Sequence, residues 1–166
     1  RALSHHRRRS KGGSYREADL SLGSFGTLDA QLAYGSEAQG RRINLAAQGF
    51  RTDGARSRSD WRRGTLAGRI AYDLTPGTEL ALSGRYHSGT WNAIAQITEN
   101  EFRHRSLVQR AHPDAQNDGG EKEYLSLRAD LGVKLGDQVK LLGFAYGVDQ
   151  YFQRFATFFN PTTQPW

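Results

Sequence analysis

The chain has no cysteine and no methionine, and only 4 of its 166 residues are proline. Without cysteine it forms no disulfide, binds no metal through a thiolate and has no cysteine nucleophile. Hydropathy is low throughout, and no run of about 18 apolar residues is present to form a membrane-spanning helix. Because the first residue is Arg1 and not methionine, we expect that an N-terminal portion of the protein is missing.

The net charge of +6 is concentrated near the start of the chain. Residues 1–14 hold His5, His6, three consecutive arginines and Lys11 with almost nothing apolar, which predicts a solvated basic arm or connector. The remaining charges nearly balance. A basic nucleic-acid-binding β domain would therefore depend on this arm alone, and we keep it only as an alternative; no nucleic-acid partner is expected.

From residue 15 onward, apolar and polar residues alternate, which is typical of strands with one apolar face. Leu125, Leu127 and Leu131, for example, alternate with polar positions that include Arg128 and Asp130. The alternation predicts seven strands, at residues 17–22, 28–34, 43–49, 65–74, 79–87, 125–135 and 139–155.

The connections between these strands alternate in length. Short turns are predicted at 36–41, 75–78 and 136–138, and long loops at 50–63 and 88–122; only the short 23–27 turn departs from this order. Short turns at one rim and long loops at the other are typical of outer-membrane barrels. The predicted fold of residues 15–166 is therefore all-β: an antiparallel up-and-down transmembrane β-barrel segment, about seven strands of a larger barrel.

The faces of the strands support a membrane location. Charges of both signs lie in mid-strand on the polar faces, as in a water-facing lumen, and aromatic residues lie near the strand ends, as in the girdles at membrane interfaces. A soluble antiparallel β-barrel or sandwich that binds a small molecule inside remains the alternative, because alternation does not show which face meets water. The girdle residues are Tyr34, Phe50, Trp61, Tyr72, Tyr86, Trp91 and Tyr124.

Several segments resemble the TonB-dependent receptors of Gram-negative outer membranes. They are Gly23–Thr27 in the first hairpin, Gly49–Gly54 before an arginine-rich loop, Tyr72–Leu80 across a turn, Trp91 after a strand, and Asn117–Gly120 before the next strand. The resemblance extends from Ala18 to the end of the chain.

The resemblance implies a barrel of about 22 strands that is closed by a plug domain. The plug would precede residue 1 and would couple the receptor to TonB. The implied function is uptake of a scarce metal chelate, such as a ferric siderophore, with lipid of the outer membrane around the barrel. The chain would end within an extracellular loop. No enzymatic activity, catalytic residue or cofactor is expected.

His104 and His112 lie in a polar loop, and the spacing of the two histidines matches no metal-binding pattern, so no metal site is expected.

Two groups of candidate functional residues follow. Candidates for substrate binding lie at the outer rim: Arg56, Arg58, Trp61, Tyr86, His87 and Trp91. Candidates that face the lumen and the plug are Arg69, Asp73, Arg85, Arg128 and Asp130.

Overall fold

The computed structural model describes residues 13–93, 103 and 117–156. Among these residues, no helix is long and apolar enough to cross a membrane. The chain forms seven strands: β1 (Gly13–Gly23), β2 (Thr27–Ala38), β3 (Arg41–Thr52), β4 (Trp61–Thr75), β5 (Thr78–Asn92), β6 (Gly119–Leu135) and β7 (Val139–Phe155).

The seven strands make one antiparallel sheet in which each strand pairs with its neighbours in sequence. The order runs from β1 to β7, and these two strands form the edges of an open sheet. The predicted all-β, up-and-down antiparallel fold is confirmed, and an open sheet is what a segment of a larger barrel would show.

The two ends of the sheet differ in their connections. At one end, named here the short-turn end, residues 39–40, 76–77 and 136–138 connect the strands. Gln39 and Gly40 have φ angles of 50° and 73°, as a two-residue type I′ turn requires. At the other end, named the loop end, the connections are residues 24–26, 53–60 and 93–118.

The sheet has an apolar face and a polar face. Residues directly opposite each other in neighbouring strands share a face, so Leu66 lies on the apolar face with Tyr86, and Ala71 lies on the polar face with Ala81. Leu66 is 59% exposed, whereas Ala71 and Ala81 are 2% and 1% exposed. In β4 and β5 the polar face is therefore the more sheltered one, whereas Phe144 and Tyr146, on the polar face of β7, are 62% and 70% exposed.

Contacts on the polar face cross an intervening strand. Tyr15 in β1 donates a hydrogen bond to Asn44 in β3, with 3.4 Å between the Tyr15 hydroxyl and Asn44 Oδ1. Arg42 in β3 reaches Glu79 in β5 in the same way. These side chains therefore link alternate strands of the sheet on its polar face.

Strands β1 to β6 are longer than predicted, whereas β7 has its predicted bounds. The loop predicted at 88–122 is shorter, because β5 runs to Asn92 and β6 begins at Gly119, and the backbones of the two extensions pair with each other. Strand β1 begins at Gly13, inside the predicted arm. The rest of that arm, His104, His112 and the predicted terminal loop lie outside the described residues.

Strand β7 differs from the others in where its large side chains lie. In β2 to β6 the large aliphatic side chains share the apolar face, but Phe144 and Tyr146 lie opposite Asp130 and Arg128 on the polar face. The three-residue turn 136–138 sets this parity, because it places Leu135 opposite Val139. The first half of β7 places only apolar residues and glycine on the apolar face, among them Ala145.

Candidate functional site

A chain of ion pairs crosses four strands on the polar face toward the short-turn end. Arg42 contacts Asp73 at 2.6 Å and Glu79 at 2.9 Å. Arg69 contacts Glu79 at 3.2 Å and Asp130 at 3.9 Å, and Arg128 contacts Asp130 at 2.6 Å. We name this set the charge network: Arg42, Arg69, Asp73, Glu79, Arg128 and Asp130.

The charge network is electrically balanced, with three guanidinium groups and three carboxylates. The guanidinium of Arg128 also lies over the ring of Phe144, 4.6 Å from its centroid. All six side chains are partly exposed, so each pair alone contributes little to stability. The balance leaves no net charge here to attract an ion.

The charge network contains four of the five residues predicted to face the lumen: Arg69, Asp73, Arg128 and Asp130. Arg85, the fifth, shares the polar face in mid-strand, and among the described residues it has no ion pair. Arg42 and Glu79 are network members that sequence reasoning missed. Each of them lies two positions after a short turn, and a short turn fixes the register of the two strands that it joins. The sequence could have indicated both residues in this way.

Aromatic residues form a second group on the polar face, at the loop end. Trp61 and Trp91 lie directly opposite each other in β4 and β5. Phe50 contacts Trp61 edge to face, with ring centroids 5.8 Å apart, and Trp91 contacts Phe152 at the same separation. We name Phe50, Trp61, Trp91 and Phe152 the aromatic row.

A glycine makes the contact between Trp91 and Phe152 possible. Trp91 in β5 and Phe152 in β7 have β6 between them, and Trp91 lies directly opposite Gly120 of that strand. A Cβ atom on Gly120 would lie 2.5 Å from the Trp91 ring. Only a residue without a side chain lets the indole cross the strand.

Cationic and polar groups accompany the aromatic row. The guanidinium of Arg63 lies 5.0 Å from the centroid of Phe50 and 5.2 Å from that of Trp61. Its Nε is buried and has no hydrogen-bond partner in the described part of the chain. Lys122 lies opposite Phe152. His87 lies four residues before Trp91 in β5, on the same face. Its Nδ1 is 2.8 Å from the hydroxyl of Thr65.

Arg56 and Arg58 lie in the loop that leads into Trp61. The backbone N–H of Arg56 donates to Ser59 Oγ at 3.1 Å, and that hydroxyl donates to the Arg56 carbonyl oxygen at 2.6 Å. Arg58 has a φ angle of 60°. A tight local turn therefore carries both arginines immediately before the aromatic row.

The predicted rim residues do not all share one surface. Tyr86 faces the apolar side, opposite Leu66 and Leu125, and its hydroxyl donates to Glu123 at 3.4 Å. His87 and Trp91 face the polar side. The structure therefore separates Tyr86 from His87 and Trp91, because side chains at odd and even positions of a strand point to opposite faces.

The same parity divides the predicted aromatic girdles. The apolar face holds Tyr34, Tyr72 and Tyr86. The polar face holds Phe50, Trp61, Trp91 and Tyr124. Only the three tyrosines are placed to contact lipid around a barrel whose apolar face points outward.

Within residues 13–93, 103 and 117–156, no three or more His, Asp or Glu side chains are grouped so that they could hold a metal ion. Comparison of the chain with protein-family models, with curated proteins and with solved structures finds no match.

Proposed function

We propose that the chain forms part of the barrel wall of a TonB-dependent receptor in a Gram-negative outer membrane. Such a receptor takes up a scarce chelate, for example a ferric siderophore, when TonB acts on a plug inside the barrel. The observation that carries the proposal is the contrast between the two faces of one sheet: an apolar face without mid-strand charges on β2 to β6, and a polar face that carries a charge network.

The height of the apolar face suits a membrane. In β3 this face runs from Arg41 to Arg51, with Ile43, Leu45 and Ala47 between them. The ten residue steps from Arg41 to Arg51 span about 34 Å along the strand. At a strand tilt of about 35–45°, the span along the membrane normal is about 24–28 Å, and the apolar band of such barrels is about 25 Å tall.

The stagger of the short turns supports the same tilt. Leu45, Gly68 and Leu127 lie in one row of directly opposite residues across the sheet. From this row to the strand end at the short turns there are 4 residues in β3, 7 in β4 and 8 in β6. If the turns lie at one height, a shift of 4 residues over three strands, about 1.3 residues per strand, gives a tilt of roughly 40–45°.

The two groups on the polar face then have separate roles. The balanced charge network lies toward the periplasmic turns, where the side chains of a plug would meet ionic partners on the wall. The aromatic row, with Arg63, Lys122, Arg56 and Arg58 near it, lies at the extracellular end, where an incoming anionic chelate would arrive. The transport itself would be driven by TonB and not by chemistry at these residues.

Cell fractionation provides the first test. The protein, expressed in a Gram-negative host with its native flanking sequence, is expected in the outer-membrane fraction and should require detergent for extraction. Recovery as a soluble monomer would reject the proposal in favour of a soluble barrel that binds a small molecule.

Adjacent spin labels provide a sharper test, since the chain contains no cysteine of its own. Leu66→Cys places a label on the apolar face, and Ala67→Cys places one on the polar face of the same strand. In the reconstituted protein, the label at position 66 should collide more with oxygen dissolved in lipid, and the label at position 67 with a water-soluble nickel chelate. Greater access of nickel to position 66 would contradict the proposal.

A further inference from the structure

Three cations lie together on the polar face, next to the aromatic row. Arg63 in β4 and Lys122 in β6 lie on either side of Gly89 in β5, which is directly opposite each of them. Arg85 lies four residues before Gly89 and points to the same face. We name Arg63, Arg85 and Lys122 the cation cluster. In the part of the chain that the structure describes, none of the three forms an ion pair.

His87 lies within the cation cluster, and all three cations act electrostatically on its imidazole. Its Nδ1 is 2.8 Å from the Thr65 hydroxyl, and its Nε2 would be 3.6 Å from a Cβ atom on Gly89. The imidazole therefore presents Nε2 between Arg63 and Lys122. When the Thr65 hydroxyl donates to Nδ1, Nε2 carries the ring proton and is a hydrogen-bond donor.

The carboxylates near Arg63 do not neutralise the cation cluster. Asp29 lies in the same row across the sheet, but Phe50 separates it from Arg63. The Asp29 carboxylate accepts a hydrogen bond of 3.0 Å from the amide of a glutamine in β3. Asp60, three residues before Arg63, accepts a hydrogen bond from Asn92 at 2.7 Å. Neither carboxylate forms an ion pair with Arg63.

The carboxylates near Lys122 are also directed elsewhere. Glu121 and Glu123 are its neighbours in sequence and point to the apolar face. Asp118 lies four residues before Lys122, is 7% exposed and has an interaction of its own. The carboxylates of the charge network are paired with the arginines of that network. Positive charge is therefore in excess around His87, which favours a bound anion.

We propose that the cation cluster binds a phosphate monoester whose organic part contains a planar ring. The phosphate lies among the three cations and accepts a hydrogen bond from His87 Nε2, and the ring packs against the aromatic row. A phosphate monoester carries nearly two negative charges and three acceptor oxygens, which suits three cations and one N–H donor better than the single charge of a carboxylate. A planar ring is favoured because its π face can pack on tryptophan or phenylalanine.

The inference rests on the proposed function in one respect, because it names the anionic group of the ligand that reaches the aromatic row. Ligand binding and membrane location are separate measurements. A soluble protein that binds the phosphate monoester would reject the receptor and keep the site. An outer-membrane protein that does not bind it would reject the site and keep the receptor.

The test measures binding of phenyl phosphate to the full-length protein in a neutral detergent, by titration calorimetry and by quenching of tryptophan fluorescence. Phenyl phosphate should bind more tightly than inorganic phosphate by roughly fivefold or more, because inorganic phosphate has no ring to pack on the aromatic row. It should exceed benzoate by a similar factor, because benzoate carries one negative charge. Cyclohexyl phosphate, which has a ring without a π face, should bind with intermediate affinity.

Substitutions in the cation cluster provide a second measurement. Lys122→Gln and Arg85→Gln should each weaken phenyl phosphate binding by roughly threefold to tenfold, since each removes one charged contact. The matched control for Lys122→Gln is Lys134→Gln, in the same strand and on the same face but at the short-turn end. The control should leave binding unchanged.

Four outcomes would each overturn the site: no binding of phenyl phosphate, equally tight binding of inorganic phosphate, equally tight binding of benzoate, or equal losses in Lys122→Gln and Lys134→Gln. The comparison of ligands uses the unsubstituted protein, so it decides the question even where a variant fails to fold.

Discussion

The two ends of the polar face surround their charged side chains in different ways. Toward the short turns, Arg42 and Arg69 are joined to carboxylates in neighbouring strands, and the positive and negative charges cancel. At the loop end, Arg63 has no carboxylate partner among the described residues and lies against the rings of Phe50 and Trp61. A guanidinium that is paired only with aromatic rings keeps its charge available to an outside anion, whereas a guanidinium in a balanced network does not.

The two ends of the polar face are therefore suited to different kinds of partner. The balanced end is suited to a fixed neighbour, whose own ionic groups can exchange partners with the network. The aromatic end is suited to a visiting ligand with negative charge and a flat or apolar part. A charge placed on the apolar face tests whether both ends face a lumen, and substitutions in the aromatic row and in the charge network test each end separately.

The largest effect is expected from a charge on the apolar face. Leu32→Arg places a cation in the middle of the apolar band of β2, where an arginine near the bilayer centre costs about 2–4 kcal/mol. The free energy of unfolding, measured by urea titration of the full-length protein in vesicles, should fall by that amount. Gln31→Arg, one residue earlier on the polar face and opposite Asp19, is the control and should change it little. Equal losses would mean that neither face meets lipid.

A smaller effect is expected from a methyl group under Trp91. Gly120→Ala places a Cβ 2.5 Å from both the Trp91 ring and the Gln153 carbonyl oxygen, so the indole must move away from Phe152 and the β7 backbone must shift, which should cost about 1–3 kcal/mol of unfolding free energy. The tryptophan fluorescence should also change. Gly143→Ala is the control, because a Cβ there meets nothing within 4 Å. An unchanged spectrum in Gly120→Ala would contradict the packing described for the aromatic row.

Loss of a carboxylate from the charge network should have an effect of about 1 kcal/mol or less. Glu79→Gln removes the partner that Arg42 and Arg69 share, and exposed pairs of this kind are individually weak. The loss should shrink in about 1 M salt, where charges are screened beyond about 3 Å. Glu17→Gln in β1, which has no ion pair in the described part of the chain, is the control. A loss that salt does not change would point to packing and not to charge.

The smallest effect is expected in the first short turn. Gln39 has a φ angle of 50°, which an asparagine adopts at lower cost than a glutamine. Gln39→Asn should therefore raise the unfolding free energy by roughly 0.5 kcal/mol. Gln138→Asn, in the third short turn, has no such strain to relieve and should be neutral. A larger gain at position 138 would show that the backbone of the first turn is not strained.

The sequence was sufficient to predict the strands and their order, because apolar alternation and turn residues are local signals. The β4–β5 hairpin is the clearest case, with Pro76 and Gly77 between two alternating segments. The sequence did not predict the parts of strands that extend beyond the last alternating apolar residue. Residues 88–92 of β5 lack the alternating pattern and are held by their backbone pairing with 119–123.

The grouping of functional residues was harder to predict, since it depends on register. Alternation showed that Tyr86 and His87 point to opposite sides, yet both were placed near the substrate as rim residues. The position of Phe152 beside Trp91 depends on a glycine in the strand between them, and no local pattern shows that contact. The side on which the large residues of β7 lie was fixed only by the length of the turn at 136–138.

The increase in strand length across the sheet has a consequence for the shape of the wall. Strand β2 has 12 residues, β4 has 15 and β7 has 17. If the short turns are level, the loop end rises from β2 toward β7 by about 14 Å at a tilt of about 35°. In the proposed receptor the rim would then slope, and Trp91 and Phe152 would lie further from the membrane than Phe50. A ligand arriving from outside would meet the β5–β7 side first and descend along the aromatic row.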